Sequence, residues 1–357
     1  MGRYNSISIG SSTINESDLK GLRNAWRHKQ LVLFLGAGVS MSYGIPTWKD
    51  LVLEMLFDQT QHARRMENLW PQYRRAVASW LADYFEYNPV ILARIIEDDI
   101  RELAKKKMPS QKGDAFLRNL RQHLYAAYAA YRPNEQQTTL TAVADLIKQS
   151  EGRIQAVVTF NFDDLLEAEL RARYIDFVSV FTDARQPQGR LPIIHPHGYI
   201  PRRGPLTEGV IFTERHYHEL MESVFHWSLT EIVNHLRHHT VLFLGLSMSD
   251  PNIRRLLDAC RNSDIPPHWQ VQKRHEIRDH ERCDVAREIE ARARHWAEVL
   301  KTEEQKKTED LLDVIDDSLK QADTYDRTLF EKMGVKTVWL KDFADIPALL
   351  QAIPGST

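Results

Sequence analysis

The pentapeptide Val-Leu-Phe-Leu-Gly occurs twice, at Val32–Gly36 and at Val241–Gly245, and after each glycine the chain turns small and polar. A short apolar run that stops at glycine is the pattern of a strand buried on both faces. Two such strands far apart in the chain require a sheet that brings distant segments together. Five more runs have strand character: Ile154–Phe160, Phe177–Phe181, Leu191–His195, a weaker His268–Gln272, and Val335–Leu340. Helical patterns separate most of them. That alternation predicts an α/β fold, a Rossmann-like parallel sheet with helices on both faces.

At 357 residues the chain exceeds one average domain. The reading is an N-terminal arm and helix over residues 1–30, with Asn15 or Ser17 as helix cap, followed by one α/β unit over 31–357. Helical insertions interrupt that unit at about 51–150 and 276–332. The first holds amphipathic patterns bounded by Pro71, Pro89, Pro109 and Pro133. The second is dense in charge and reads either as a solvated surface or as a contact surface for a partner. With 47 basic against 49 acidic residues, the charge gives no reason to expect direct contact with nucleic acid. Two cysteines cannot build a four-cysteine zinc site, and no apolar stretch approaches the length of a membrane span. These features predict a cytoplasmic protein without membrane or metal.

Four stretches carry candidate chemistry. In the first, Gly36, Ala37, Gly38 and Ser40 follow a strand, where backbone N–H groups can approach a pyrophosphate. Met41 stands where the dinucleotide fingerprint has its third glycine, so a plain turn of small residues is an equal reading. In the second, Gly245, Ser247 and Ser249 end a strand, and Asp250 or Asn252 can cap the helix that starts near Pro251. Ligands of α/β sheets bind beyond the carboxyl ends of strands, so two such loops can face one nucleotide from two sides.

In the third stretch, Asn161 and Asp163 lie two apart beyond Val157–Thr159 and can project together. An amide and a carboxylate suit ribose hydroxyls and a water; Asp163 could equally be an Asx cap. The fourth is His197 before Gly198, a titratable imidazole in a turn. His195 and His197 also look like a metal pair, but no third ligand stands out.

In this order, Gly-Ala-Gly-x-Ser, Gly44-Ile-Pro46-Thr47-Trp48, Thr159-x-Asn161-x-Asp163, His197-Gly198 and Gly245-x-Ser247 resemble the Sir2 (sirtuin) superfamily. The resemblance covers roughly residues 30–50, 154–260 and 335–340. It implies NAD as substrate, with Asn161 and His197 catalytic. It also implies that Gly36, Ala37, Gly38, Ser40, Pro46, Thr47, Trp48, Asn161, Asp163, Gly245, Ser247 and Asp250 line the dinucleotide site. Trp48 then covers the nucleotide, or is ordinary core.

Three departures bear on the branch. The zinc-module cysteines are absent, Phe160 replaces the sirtuins' Gln, and Thr213-Glu214-x-x-Tyr217 follows His197. The last pattern looks like bacterial Sir2-like domains of anti-phage defence systems. That likeness implies an NAD+ glycohydrolase that depletes cellular NAD+, working as a homo-oligomer with a partner such as a HerA-like ATPase or a short Argonaute. Two alternatives remain: a non-catalytic NAD or ADP-ribose binding module and, more remotely, an NAD-dependent deacylase.

Overall fold

The computed structural model describes residues 6–355 apart from 60–88 (helical positions 73, 76, 77 and 80 excepted), 108–112, 129–136, 184–188, 224–225, 249, 262–266, 278–279 and 301–308. Most of the amphipathic pattern at 71–85, the Pro109 and Pro133 boundaries and Ser249 therefore lie outside the described residues.

Two short strands, β1 (Ser6–Ile9) and β2 (Ser12–Asn15), form an antiparallel hairpin. Seven more build one sheet: β3 (Leu31–Leu35), β4 (Ile154–Thr159), β5 (Phe177–Val180), β6 (Leu191–Ile194), β7 (Thr240–Leu244), β8 (His268–Lys273) and β9 (Val335–Leu340). Their order is β5-β6-β4-β3-β7-β8-β9, and every neighbouring pair is parallel. All seven strand runs read from the sequence are present, in a Rossmann-like α/β arrangement.

The repeated pentapeptide occupies the centre. β3 and β7 are neighbours in register, with Val32 opposite Val241, Leu33 opposite Leu242, Phe34 opposite Phe243 and Leu35 opposite Leu244. Alternation then sends like residues to like faces. Leu33, Leu35, Leu242 and Leu244 enter one core, while Val32, Phe34, Val241 and Phe243 enter the other. On the second face the Phe243 and Phe34 rings meet at 5.3 Å, and Phe34 meets Phe160 at 6.0 Å. The sheet grows away from β3 in one direction through β4 and β6, and from β7 in the other through β8 and β9. The topological switch point, where α/β sheets open a binding crevice, thus lies between the two copies.

The N-terminus departs from expectation. A hairpin stands where the sequence reading has a polar arm, and its Ile9 and Ile14 are buried in the core. Gly10, at φ 58°, makes the turn with Ser11. Asp345 fastens it: Oδ1 accepts from the Ser11 N–H, and Oδ2 from the Ser11 and Ser12 hydroxyls. Asn15, one of the two expected caps, accepts from Ser17 N at 3.0 Å and opens the helix Glu16–Arg27. Leu19, Leu22 and Trp26 on that helix are buried.

Burial opposes ionisation of Asp345, but the Ser12 and Ser11 hydrogen bonds outweigh it and lower its pKa. The anchor's contribution is therefore complete above the unfolded carboxylate pKa of about 3.9. It is lost as pH falls through the lower folded value. Asp345→Ala should cost about 1.5–3 kcal/mol in urea unfolding at neutral pH, the scale of hydrogen bonds to a charged group.

Both insertions are helical where described. The first contributes Trp48–Gln59, Pro89–Lys107, Ala115–Leu124 and Thr139–Ser150. Its Met55, Ile96 and Leu120 join the core that holds Leu33. The second forms Arg282–Leu300 and Glu309–Lys332, bridged by Arg282 and Asp316 at 2.9 Å. Among the described residues, no helix is long and apolar enough to cross a membrane.

Candidate functional site

Four loops meet at the carboxyl edge of the central strands. They follow β3, β4, β6 and β7, and they carry nearly all the residues singled out in the sequence.

The glycines of the first and last loops press against each other. Gly36 N–H donates to Leu244 O and Gly38 N–H to Gly245 O, both at 3.0 Å. A Cβ on Gly36 would stand 2.5 Å from Gly245 O, and one on Gly38 2.8 Å from Gly245 Cα. Gly245 itself has φ 62°, the left-handed region that favours glycine. Two N–H groups that the sequence reading aims at a pyrophosphate are thus engaged across the switch point. These glycines are required by the close approach of two backbones. Half-buried Ala37, buried Ser40 and exposed Ser247 complete the two loops.

Asn161 ties the β4 turn to the β3 loop. Its Nδ2 donates to Gly36 O at 3.0 Å and to Ser40 Oγ at 3.2 Å. Both bonds use the amide nitrogen, so the amide oxygen is the end that can accept from a ligand. Asp163 Oδ1 accepts from Leu165 N at 3.1 Å, an Asx turn just ahead of the helix Leu165–Ala172, whose N-cap position is Asp164. Asp163 Oδ2 is buried and has no hydrogen-bond partner among the described residues. Burial pushes the Asp163 carboxyl up to about 6, against the opposing pull of the Leu165 N–H and the nearby Ser40 hydroxyl. An orphaned buried carboxylate oxygen is rare in folded proteins and calls for a partner.

His197 lies on the other side of the same turn. Its ring meets Phe160 at 5.2 Å and Tyr217 at 5.7 Å, both edge-on. Burial pulls its pKa down to about 4, with Asp250 opposing, so the imidazole is neutral at physiological pH. A small cavity of about 30 Å³, large enough to admit water, is lined by Phe160, His197, Tyr217, Asp250, Asn252 and Arg255 among others. Asp250 also accepts from Asn252 N at 2.8 Å and caps the helix Pro251–Cys260. At Gly198 the backbone has φ 98°, and a Cβ would sit 2.8 Å from Val210 Cα. The chain after His197 therefore packs directly against the Gly209–Phe212 segment.

The structure divides the candidates into two groups. Asn161 and Asp163 gather with Ser40 under the β3 loop, and His197 gathers with Tyr217 and Asp250 across Phe160. The Gly44–Trp48 turn serves the fold locally. Pro46 is buried, and Thr47 Oγ1 accepts from Asp50 N to begin the helix Trp48–Gln59. Trp48 packs on Phe212 at 5.6 Å, which favours its reading as core. Tyr217 and the pair His195–Glu167 were not assigned roles from the sequence. The spacing Thr213-Glu214-x-x-Tyr217 marked the first, but nothing local marks the second. His195 Nε2 lies 2.8 Å from Glu167 Oε1 and its Nδ1 lies 3.2 Å from Asn161 O. With both ring nitrogens committed, His195 cannot pair with His197 around a metal.

Comparison with known proteins gives a likeness over part of the chain. No curated protein matches the chain. A solved structure described as "Structural Basis for the Mechanism and Regulation of Sir2 Enzymes" is similar at 13% identity, covering 74% of this chain and 89% of that one, with a TM-score of 0.32. Residues 155–297 match the SIR2-like domain model, a span that holds β4, the Asn161–Asp163 turn, His197 and the Gly245 loop. Over residues 155–297 the chain is thus similar to the SIR2-like domain.

Proposed function

We propose that the chain is an NAD+ glycohydrolase, which cleaves NAD+ to nicotinamide and ADP-ribose. The observation that carries this reading is the buried Asp163 Oδ2, unpartnered among the described residues, two positions from the Asn161 amide at the switch point of the parallel sheet. An amide oxygen and a carboxylate oxygen held there suit the hydroxyls of the nicotinamide ribose. Breaking the bond from the ribose carbon to nicotinamide sends the electron pair out with nicotinamide and leaves positive charge on the ribose. Water then bonds to that carbon and gives up a proton. Neutral His197 is the base for a ribose hydroxyl or for that water. Ala37, Ser40 and Ser247 are the groups offered to the dinucleotide by the glycine loops, with Asp250 at the adjoining helix.

The test is nicotinamide release from NAD+ by the purified chain, alone and with the product of any neighbouring gene. Absence of turnover in every assembly would reject the reading. Measurable NAD or ADP-ribose binding without turnover would favour a sensor or assembly module, which the mutually engaged Gly36 and Gly38 loop could also serve.

The pH profile follows from the Asp163 environment. With its pKa raised to about 6, the carboxylate forms as pH rises through that value. We expect kcat/KM to rise through about pH 6, with no separate step from His197, which is already neutral there. Asp163→Asn should flatten that limb at a reduced rate. A wild-type profile flat from pH 5 to 7 would refute the role of Asp163.

The wider setting is also proposed. Thr213-Glu214-x-x-Tyr217 supports an effector role in bacterial anti-phage defence, as a homo-oligomer held in check by a partner such as a HerA-like ATPase or short Argonaute. The charged block 276–332 is the candidate contact surface, and exposed Val314, Tyr325 and Leu329 form its apolar part.

A further inference from the structure

His195 and Glu167 are both fully buried, and the proposed reaction gives neither a direct part. A carbonyl oxygen only accepts, so the 3.2 Å contact to Asn161 O places a hydrogen on His195 Nδ1. Glu167 Oε1 accepts from Ser179 Oγ at 2.9 Å and faces His195 Nε2 at 2.8 Å. Burial opposes ionisation of Glu167, but the charge and hydrogen bond of His195 outweigh it, so the group is held as a carboxylate. The ring thus has an acceptor facing each nitrogen, and it lies 4.7 Å from the ring of Tyr199.

Such a pair is weak evidence for stability, because an apolar replacement of the same volume is often no less stable. Glu167 Oε2, moreover, is buried without a partner among the described residues. What the pair does is link four elements: the helix Leu165–Ala172 through Glu167, β5 through Ser179, the end of β6 through His195, and the β4 turn through Asn161.

We propose that the His195–Glu167 pair is a positioning device, in which the His195 ring, held by Glu167, fixes the main-chain oxygen of Asn161 and so the angle at which the Asn161 side-chain amide meets the ribose. This rests on the hydrolase reading given above. His195 and Glu167 act through Asn161 and touch no substrate. Displacement of a reacting group by 1 Å can cost about 10²-fold, so the pair's effect should appear in turnover and not in affinity.

The test uses the full chain. Glu167→Gln keeps the shape and an oxygen for Ser179 but removes the negative charge. We expect kcat for nicotinamide release to fall about 10- to 100-fold while KM stays within about threefold. Imidazole ¹⁵N spectra should show both His195 nitrogens protonated in the wild type and one bare in the variant. An active wild type whose folded Glu167→Gln variant keeps its kcat would overturn the positioning role alone. So would a wild-type spectrum with one bare nitrogen on His195. A wild type that binds NAD+ but releases no nicotinamide would sink the hydrolase reading and this role with it. Should Glu167→Gln fail to fold, Ser179→Ala removes only one donor to the carboxylate. Its kcat should fall about 3- to 10-fold, and an unchanged kcat would overturn the proposal.

Discussion

Alanine at His197 is expected to slow nicotinamide release by about 10²- to 10⁴-fold, the range of a lost general base. The ring is held neutral by burial between Phe160 and Tyr217 and borders the small cavity reached by Asp250. Removing it takes the one imidazole out of the described lining of that cavity. Asn161→Ala should cost about 10²-fold or more by loss of positioning. It also frees Gly36 O and Ser40 Oγ, the two acceptors that bind the β4 turn to the β3 loop. Circular dichroism and a urea titration must therefore accompany the assay. His197→Ala protein that is folded and turns over NAD+ at the wild-type rate would remove this residue from the mechanism.

Gly245→Ala should be the most destabilising single-methyl change in the central sheet. The residue sits at φ 62°, and a Cβ there would lie 2.7 Å from Val39 N and 2.9 Å from Gly38 Cα. The left-handed backbone costs a non-glycine residue about 1–2 kcal/mol. Forcing a methyl into a packed contact adds about 1–3 kcal/mol. Urea unfolding should show a loss of about 2–5 kcal/mol in sum. Gly334→Ala is the control, since φ is 79° there and nothing lies within 4 Å of the added Cβ, so only the backbone cost applies. Equal losses in the two variants would show that the contact between the two loops is not tight.

Much of the frame was legible because the central strands β3 and β7 are compact apolar runs buried on both faces, with no polar alternation to confuse them. The hairpin at Ser6–Asn15 was missed because only Ile7, Ile9 and Ile14 mark it among serines and threonines. Its Gly10-Ser11 turn was the available signal. The catalytic candidates were legible as short motifs at strand ends, where side chains two apart share a side. The use of the Gly36 and Gly38 N–H groups was not, since it depends on which strand lies beside β3. His195–Glu167 was hidden for the same reason. Its members lie on separate elements and become partners only once the helix after β4 has packed over β6.

The pairing of Leu31 with Thr240 also has a consequence for how the molecule is made. Synthesis proceeds from the N-terminus at about 5–20 residues per second, and contacts of such long range form late. A nascent chain that has not yet extruded Val241–Gly245 leaves β3 with a bare edge on one side. It also leaves Gly36 and Gly38 without the carbonyls that hold their loop. The ribosome thus carries an incomplete sheet whose exposed edge invites pairing with other strands, so chaperone demand should peak before β7 emerges. The same delay keeps any NAD+-consuming activity out of fragments, because no segment ending before Gly245 contains both walls of the crevice.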